Sequence, residues 1–294
     1  MELQDYLRDE ILEEADLGYI SEEERNRRLT VFDKALASAM SDHLVAAKLS
    51  AETSAKETQV EVVDGNIVAW RARAKGNEAD VLAYCAKPKE GRSLPGVIVI
   101  HENKGLVPYV EDVARRFAKE GFVAVAPDLL SRRGGTQAFA DPADATTALG
   151  TIGREELVED LISAVSLLAA DESVQADRIG VVGFCFGGGM AWRLITKDSR
   201  LKAAVPFYGP NPPLEDVPNI AAKILAIYGG LDERINAGID EIEAATTEHK
   251  KVFEKIIYPG AQHAFHNDTN PDRYHPEAAV DAWQHTLQWL RRWL

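Results

Sequence analysis

Cys185 stands in the run Gly183-Phe184-Cys185-Phe186-Gly187-Gly188-Gly189, between an apolar strand pattern, Ile179–Phe184, and a helical one from Met190 to Ile195. This is the strand–turn–helix context of a nucleophile elbow, G-x-S-x-G, with cysteine in the serine position. A sharp turn holds the nucleophile in a strained backbone conformation, and side chains two residues before or after it would collide with neighbouring backbone. The helix that starts here aims free N–H groups at the turn, and its dipole favours a thiolate over a thiol. Since a free cysteine has a pKa of about 8.5, the site must lower that value or deprotonate the thiol on demand.

A nucleophile needs a base, and the base needs a group to orient it. Asp232 follows in Y-G-G-L-D-E-R, just past the strand pattern Lys223–Tyr228, and His263 in P-G-A-Q-H-A-F-H, just past Val252–Tyr258. Nucleophile, acid, histidine is the chain order of such hydrolases, and each group lands at the carboxyl end of a strand. Glu233 and His266 compete for these roles, but Asp232 is nearer its strand end and His263 follows a Pro-Gly turn. Blander readings make Asp232 a helix N-cap and Cys185 an inert core thiol, or let the glycines cradle a phosphate. The last fails on spacing, because G-x-G-x-x-G is not met.

The elements that must position these residues read as alternating strand and helix beyond Pro95. Val97–His101, Phe122–Ala126, Ile179–Phe184, Leu201–Tyr208, Lys223–Tyr228 and Val252–Tyr258 read as strands. Tyr109–Glu120, Glu155–Ala170, Ile239–Thr247 and Pro276–Leu294 read as helices. Short Val/Ile runs separated by helices imply parallel strands buried on both faces, with ligands at their carboxyl ends. Ahead of them, residues 58–63 and 67–70 around Asp64-Gly65 read as a β-hairpin, with Val81–Ala86 as a further antiparallel strand at one sheet edge. Trp283, Trp289 and Trp293 in the last helix read as packing.

The fold class is therefore α/β, a mostly parallel sheet with helices on both faces, over residues 58–294. Residues 1–57 read as a helical extension and linker. Leu3, Tyr6, Leu7, Ile11 and Leu12 make one apolar stripe, and Ser21 with Glu24 is a capping-box pattern. Such an arm must bury its stripe on the main body or on a second subunit, which makes a homodimer through it one expectation.

The chain has 294 residues, 46% of them apolar, and a formal charge of −14. That argues against a nucleic-acid footprint, while a small anionic substrate needs only a local arginine. The two cysteines, Cys85 and Cys185, make no disulfide framework, and Cys85 reads as core. No apolar run reaches the ~18 residues of a membrane span. The cytoplasm is the expected compartment. Arg27-Arg28 before L-T-V-F is similar to a twin-arginine export signal, but Asp33 and Lys34 interrupt the apolar region. His263, His266, His275 and Glu102 fit no standard zinc spacing, so a metal-dependent hydrolase is the weaker reading and no metal or cofactor is expected. A thiol redox sensor is the non-enzymatic alternative, with no evident resolving cysteine.

From about Val60 to Leu294 the chain resembles the dienelactone hydrolase (carboxymethylenebutenolidase) family of α/β-hydrolases. The resemblance rests on H-E-N-K-G-L after Val97–Ile100, A-P-D-L-L at Ala126, G-F-C-F-G-G-G, Leu231-Asp232-Glu233-Arg234 and P-G-A-Q-H-A-F-H. The N-terminal extension resembles one found in a bacterial branch of the family. The resemblance implies an esterase or lactonase with Cys185, His263 and Asp232 as nucleophile, base and orienter, and a small ester or lactone as substrate. It implies that Glu102 contacts the resting cysteine and takes part in its activation, and that backbone N–H groups of Asn103 and Phe186 form the oxyanion hole. It puts Arg132 where an arginine binds a substrate carboxylate. The family's second such arginine is replaced here by Asn267; Arg133, Arg234 and Arg273 are the candidates to compensate.

Overall fold

Valine, isoleucine and alanine fill the central strands because both faces of the sheet are covered, which leaves no polar face to alternate with. The computed structural model describes residues 25–30 and 60–294, residue 77 excepted. Strands β1 (Val60–Asp64), β2 (Ile67–Ala74), β3 (Val81–Pro88) and β4 (Leu94–Ile100) come first, then helix α1 (Pro108–Lys119) and β5 (Val123–Pro127). Helices α2 (Pro142–Gly150) and α3 (Arg154–Ala169) precede β6 (Val174–Phe184) and α4 (Phe186–Lys197). The remainder is β7 (Leu201–Phe207), β8 (Lys223–Gly229), α5 (Glu233–Asn236), α6 (Ile239–Glu248), β9 (Phe253–Tyr258) and α7 (Pro276–Trp293).

These strands form one sheet in the order β1-β2-β3-β5-β4-β6-β7-β8-β9. The first three are antiparallel and β3 joins β5 antiparallel, as the hairpin pattern predicts. From β5 and β4 through β9 the pairs are parallel. The strand order reverses between β4 and β6, so the loops after these strands diverge and leave a crevice at their carboxyl ends.

The expected elements differ from the observed ones at their edges. The turn of the first hairpin falls on Gly65-Asn66 rather than Asp64-Gly65. Strand β6 starts at Val174, five residues before the apolar run, because its first half is polar and partly exposed yet still in the ladder. Helix α2 has no sequence expectation behind it; Asp141 caps it by accepting from the Ala143 N–H, with Pro142 at its first position.

Residues 25–30 are helical, and Arg27 meets Asp141 at 3.4 Å. The remainder of the N-terminal arm, its stripe and any homodimer made through it lie outside the described residues. No helix among the described residues is long and apolar enough to cross a membrane.

Candidate active site

Strand β6 runs straight into Cys185, which turns the chain at φ 55° and ψ −117° before α4 begins at Phe186. A positive φ on a residue with a Cβ costs about 1–3 kcal/mol and persists only where the surroundings hold it. Here Cys185 N–H donates to the Phe207 carbonyl of β7, and its own carbonyl accepts from Gly188 and Gly189. The flanking glycines are needed sterically. A Cβ on Gly183 would lie 2.0 Å from the Gly187 carbonyl oxygen, and one on Gly187 would lie 2.4 Å and 2.5 Å from the Ile100 and His101 oxygens. Phe186 is the first residue of α4, so its N–H belongs to the turn that has no acceptor within the helix.

Asp232 follows β8 and His263 follows β9. Their loops are laced together: Gly230 N–H donates to Tyr258, and Leu231 N–H to Ala261. Asp232 serves twice. One carboxylate oxygen caps α5 through the Ile235 N–H at 3.3 Å, and the other accepts from His263 Nδ1 at 2.5 Å. The cap reading and the orienter reading are thus both true, and the cap fixes the carboxylate that holds the imidazole.

The other nitrogen, His263 Nε2, is buried with no partner of regular geometry, and the Cys185 thiol is the group whose charge and hydrogen bonding act on the ring beside Asp232. Burial opposes the imidazolium, yet Asp232 and Cys185 outweigh it and hold His263 well above its ordinary value. Burial likewise pushes Asp232 up, but the charge and hydrogen bond of His263, then Arg234 and the Ile235 N–H, bring it below the usual carboxylate range. Cysteine, histidine and aspartate, scattered along the sequence, are brought into one buried neighbourhood, with histidine and aspartate directly bonded.

Glu102 and Asn103 follow β4, both buried. Glu102 accepts from Asn267 Nδ2 at 2.7 Å, and Asn267 Oδ1 is fixed by the N–H and hydroxyl of Thr269. The position where an arginine was expected therefore holds the carboxylate of Glu102. Tyr208, just past β7 at φ 38°, lies with its ring 5.1 Å from that of His263. Burial, then the charges of Tyr109, Glu102 and Cys185, push its hydroxyl well up. Sequence reasoning passes over Tyr208, because it reads as the last residue of an apolar strand.

His266, the rival base, is excluded by its surroundings. Its Nδ1 shares a hydrogen bond with the Tyr109 hydroxyl at 2.6 Å, and the ring packs among Phe184, Phe207 and Trp283. Burial takes its pKa down to about 3, so it stays neutral. His275 caps α7 by accepting from Ala278.

Arg132, expected to bind a substrate carboxylate, is paired with carboxylates of the chain itself. Its guanidinium lies against α3, with Nε at 3.2 Å and 3.0 Å from the two oxygens of Asp160, Nη2 at 3.0 Å, and Nη1 at 3.0 Å from Glu78. Asp160 is 1% exposed, and among the described residues Arg132 is the cation paired with it. The motif position is occupied, but the charge is already engaged.

The alternatives gain nothing from the geometry. Among the described residues no three His, Cys, Asp or Glu side chains converge so as to hold a metal ion. Both cysteines are buried, and burial pushes the Cys85 thiol up to about 12, unlike the low-pKa exposed thiol of a redox sensor.

The model of the dienelactone hydrolase family matches residues 81–294, the larger part of the chain. The chain belongs to the dienelactone hydrolase family. It is accordingly a hydrolase of carboxylic esters or lactones, built on the α/β-hydrolase fold. It is similar to a protein of Methylorubrum extorquens named "Putative carboxymethylenebutenolidase", 28% identical over 95% of this chain and 98% of that one. A protein of the same name from Escherichia coli K12 is 32% identical over 80% of this chain and 91% of its own length. The crystal structure of a "Putative Dienelactone Hydrolase" from Klebsiella pneumoniae matches with a TM-score of 0.71 and 30% identity, covering 77% of this chain and 99% of that one. The relationship in Methylorubrum extorquens spans nearly the whole chain, including the region ahead of the family match.

Proposed function

We propose that this dienelactone hydrolase family member cleaves its ester or lactone through a thioester on Cys185. The observation that carries the reading is His263, bonded through Nδ1 to Asp232 and acted on by the thiol at its other face. The sulfur attacks the carbonyl carbon as a thiolate, its proton having passed to His263 Nε2. The negative charge that develops on the carbonyl oxygen is received by the N–H groups of Asn103 and Phe186. One such donor is worth roughly 10²–10³ in rate. Collapse of the adduct breaks the bond to the leaving oxygen, which takes the proton from His263. Water, deprotonated by the same nitrogen, then attacks the thioester, releasing the carboxylic acid and restoring the thiol.

Glu102, held by Asn267, assists the thiol's deprotonation in this scheme. Substrates with an uncharged acyl part are favoured, because Arg132 is engaged by Asp160 and position 267 is an amide. The test is a panel of neutral and carboxylate-bearing lactones and aryl esters with wild type and Cys185→Ala. Turnover is expected to vanish in a variant that remains folded by circular dichroism; turnover retained in it would overturn the reading.

A further inference from the structure

His101, which opens the H-E-N-K-G-L run, is fully buried at the end of β4 and takes no part in the proton transfers above. Both of its ring nitrogens are nonetheless committed. Leu129 N–H donates to Nε2 at 3.0 Å, which requires a lone pair there and puts the ring proton on Nδ1. That Nδ1–H then donates to the Glu102 carbonyl at 2.6 Å. Burial lowers the imidazole's affinity for a second proton, against the pull of Asp128, so this one neutral tautomer persists.

The bond to Glu102 has a consequence one atom pair further on. The Glu102 carbonyl and the Asn103 N–H belong to the same planar trans peptide, in which C=O and N–H point in opposite directions. Fixing the carbonyl fixes the N–H. The carbonyl also accepts from the Gly105 N–H at 3.4 Å, a longer turn contact. The imidazole also stacks on the Phe186 ring, at 6.2 Å between centroids and 22° between planes. One ring therefore bonds the peptide that carries the Asn103 N–H and stacks on Phe186, the two proposed oxyanion donors, and it is itself anchored to the loop after β5.

We propose that His101 is the positioning residue of the oxyanion hole, holding the Glu102–Asn103 peptide so that the Asn103 N–H meets the carbonyl attacked by Cys185. The proposal rests on the reading of Asn103 as an oxyanion donor. It gives the A-P-D-L-L run a function too, because the Leu129 N–H selects the tautomer that makes the bond.

Two variants separate this role from mere packing. His101→Phe keeps a flat ring and loses both hydrogen bonds. His101→Asn loses the Leu129 contact equally, but its amide nitrogen lies where Nδ1 lay and retains a donor for Glu102. Two readouts are needed. One is kcat/KM for an activated aryl acetate and for its thiono analogue, whose larger sulfur is a poor acceptor for donors placed to meet oxygen. The other is the rate of Cys185 alkylation by iodoacetamide, which uses the thiol and no oxyanion hole.

Wild type is expected to favour the oxygen ester at least tenfold. His101→Phe should lower oxygen-ester turnover about 10–100-fold, bring the two substrates close to parity and change alkylation less than threefold. His101→Asn should keep the oxygen preference within about threefold of wild type. Should His101→Phe not fold, His101→Asn decides alone, and loss of its preference overturns the proposal. An unchanged preference in His101→Phe, or alkylation falling in step with ester turnover, also overturns it while leaving the oxyanion reading intact. A wild type that does not distinguish the two esters overturns the oxyanion reading, and this inference with it.

Discussion

Asn267 donates its side-chain amide to Glu102 at 2.7 Å, across 165 residues of sequence. The two arrive from the loops after β9 and β4, on opposite sides of the cysteine-bearing strand in the sheet order. Asn267 is itself oriented by Thr269, so the buried carboxylate is held by a group with little freedom to turn.

Removing that donor should be felt as stability. Asn267→Ala leaves a buried carboxylate oxygen short of a charge-assisted bond, at an expected cost of about 2 kcal/mol. The urea midpoint should fall with an unchanged slope. Asn267→Asp keeps the acceptor for Thr269 but sets a second carboxylate against Glu102. It should be the less stable of the two variants at pH 8 and regain ground below about pH 5, where the pair takes up a proton. A wild-type midpoint for Asn267→Asp at pH 8 would refute the coupling.

The raised His263 pKa makes stability depend on pH. Between the ordinary imidazole value of 6.5 and the higher folded value, the folded protein holds a proton that the unfolded chain has released. This contribution is complete below 6.5 and is lost as pH rises through the folded value, at a slope of at most about 1.4 kcal/mol per pH unit. Asp232 works at the other end: its contribution is present above 3.8 and lost as pH falls through its depressed folded value. His263→Gln should flatten the decline in urea midpoints as pH rises above 6.5. Asp232→Asn should flatten it as well, and should lower kcat by roughly 10³–10⁴ because the imidazole loses its orienter. A wild-type slope in both variants would show that the pair does not carry the linkage.

Arg132 offers a contrast between binding and support. Arg132→Met strands the buried Asp160 charge and should destabilise by about 3–5 kcal/mol, whereas the double variant with Asp160→Leu should recover most of that loss. KM for a neutral ester should be unchanged in the double variant. A large rise in KM for a carboxylate-bearing substrate alone, without loss of stability in Arg132→Met, would restore the binding role.

Local pattern made much of the molecule legible. The Val/Ile runs of β4 to β8 and the spacing within α1, α3 and α7 mark elements whose periods are properties of a few consecutive residues. The elbow is legible for the same reason, since Gly183, Cys185 and Gly187 meet across a single turn, and so is the order Cys185, Asp232, His263. Helix α2 was not, because its Ala/Thr composition carries no strong apolar stripe and only the Asp141-Pro142 cap marks its start.

What lay beyond reach were relationships made when distant strand ends come together. Arg132 sits at a position that suggests a substrate carboxylate, but its partner is decided by α3, which brings a buried Asp160 to it. Asn267 reads as the loss of an arginine until the fold sets it against Glu102. The alphabet and order of the candidate site groups are thus written in the chain itself, because strand, turn and helix signals are local. Which nitrogen of which histidine faces the thiol, and which charges are already engaged, the tertiary structure alone decides, because hydrogen-bond geometry and burial arise only where segments far apart in sequence are packed side by side.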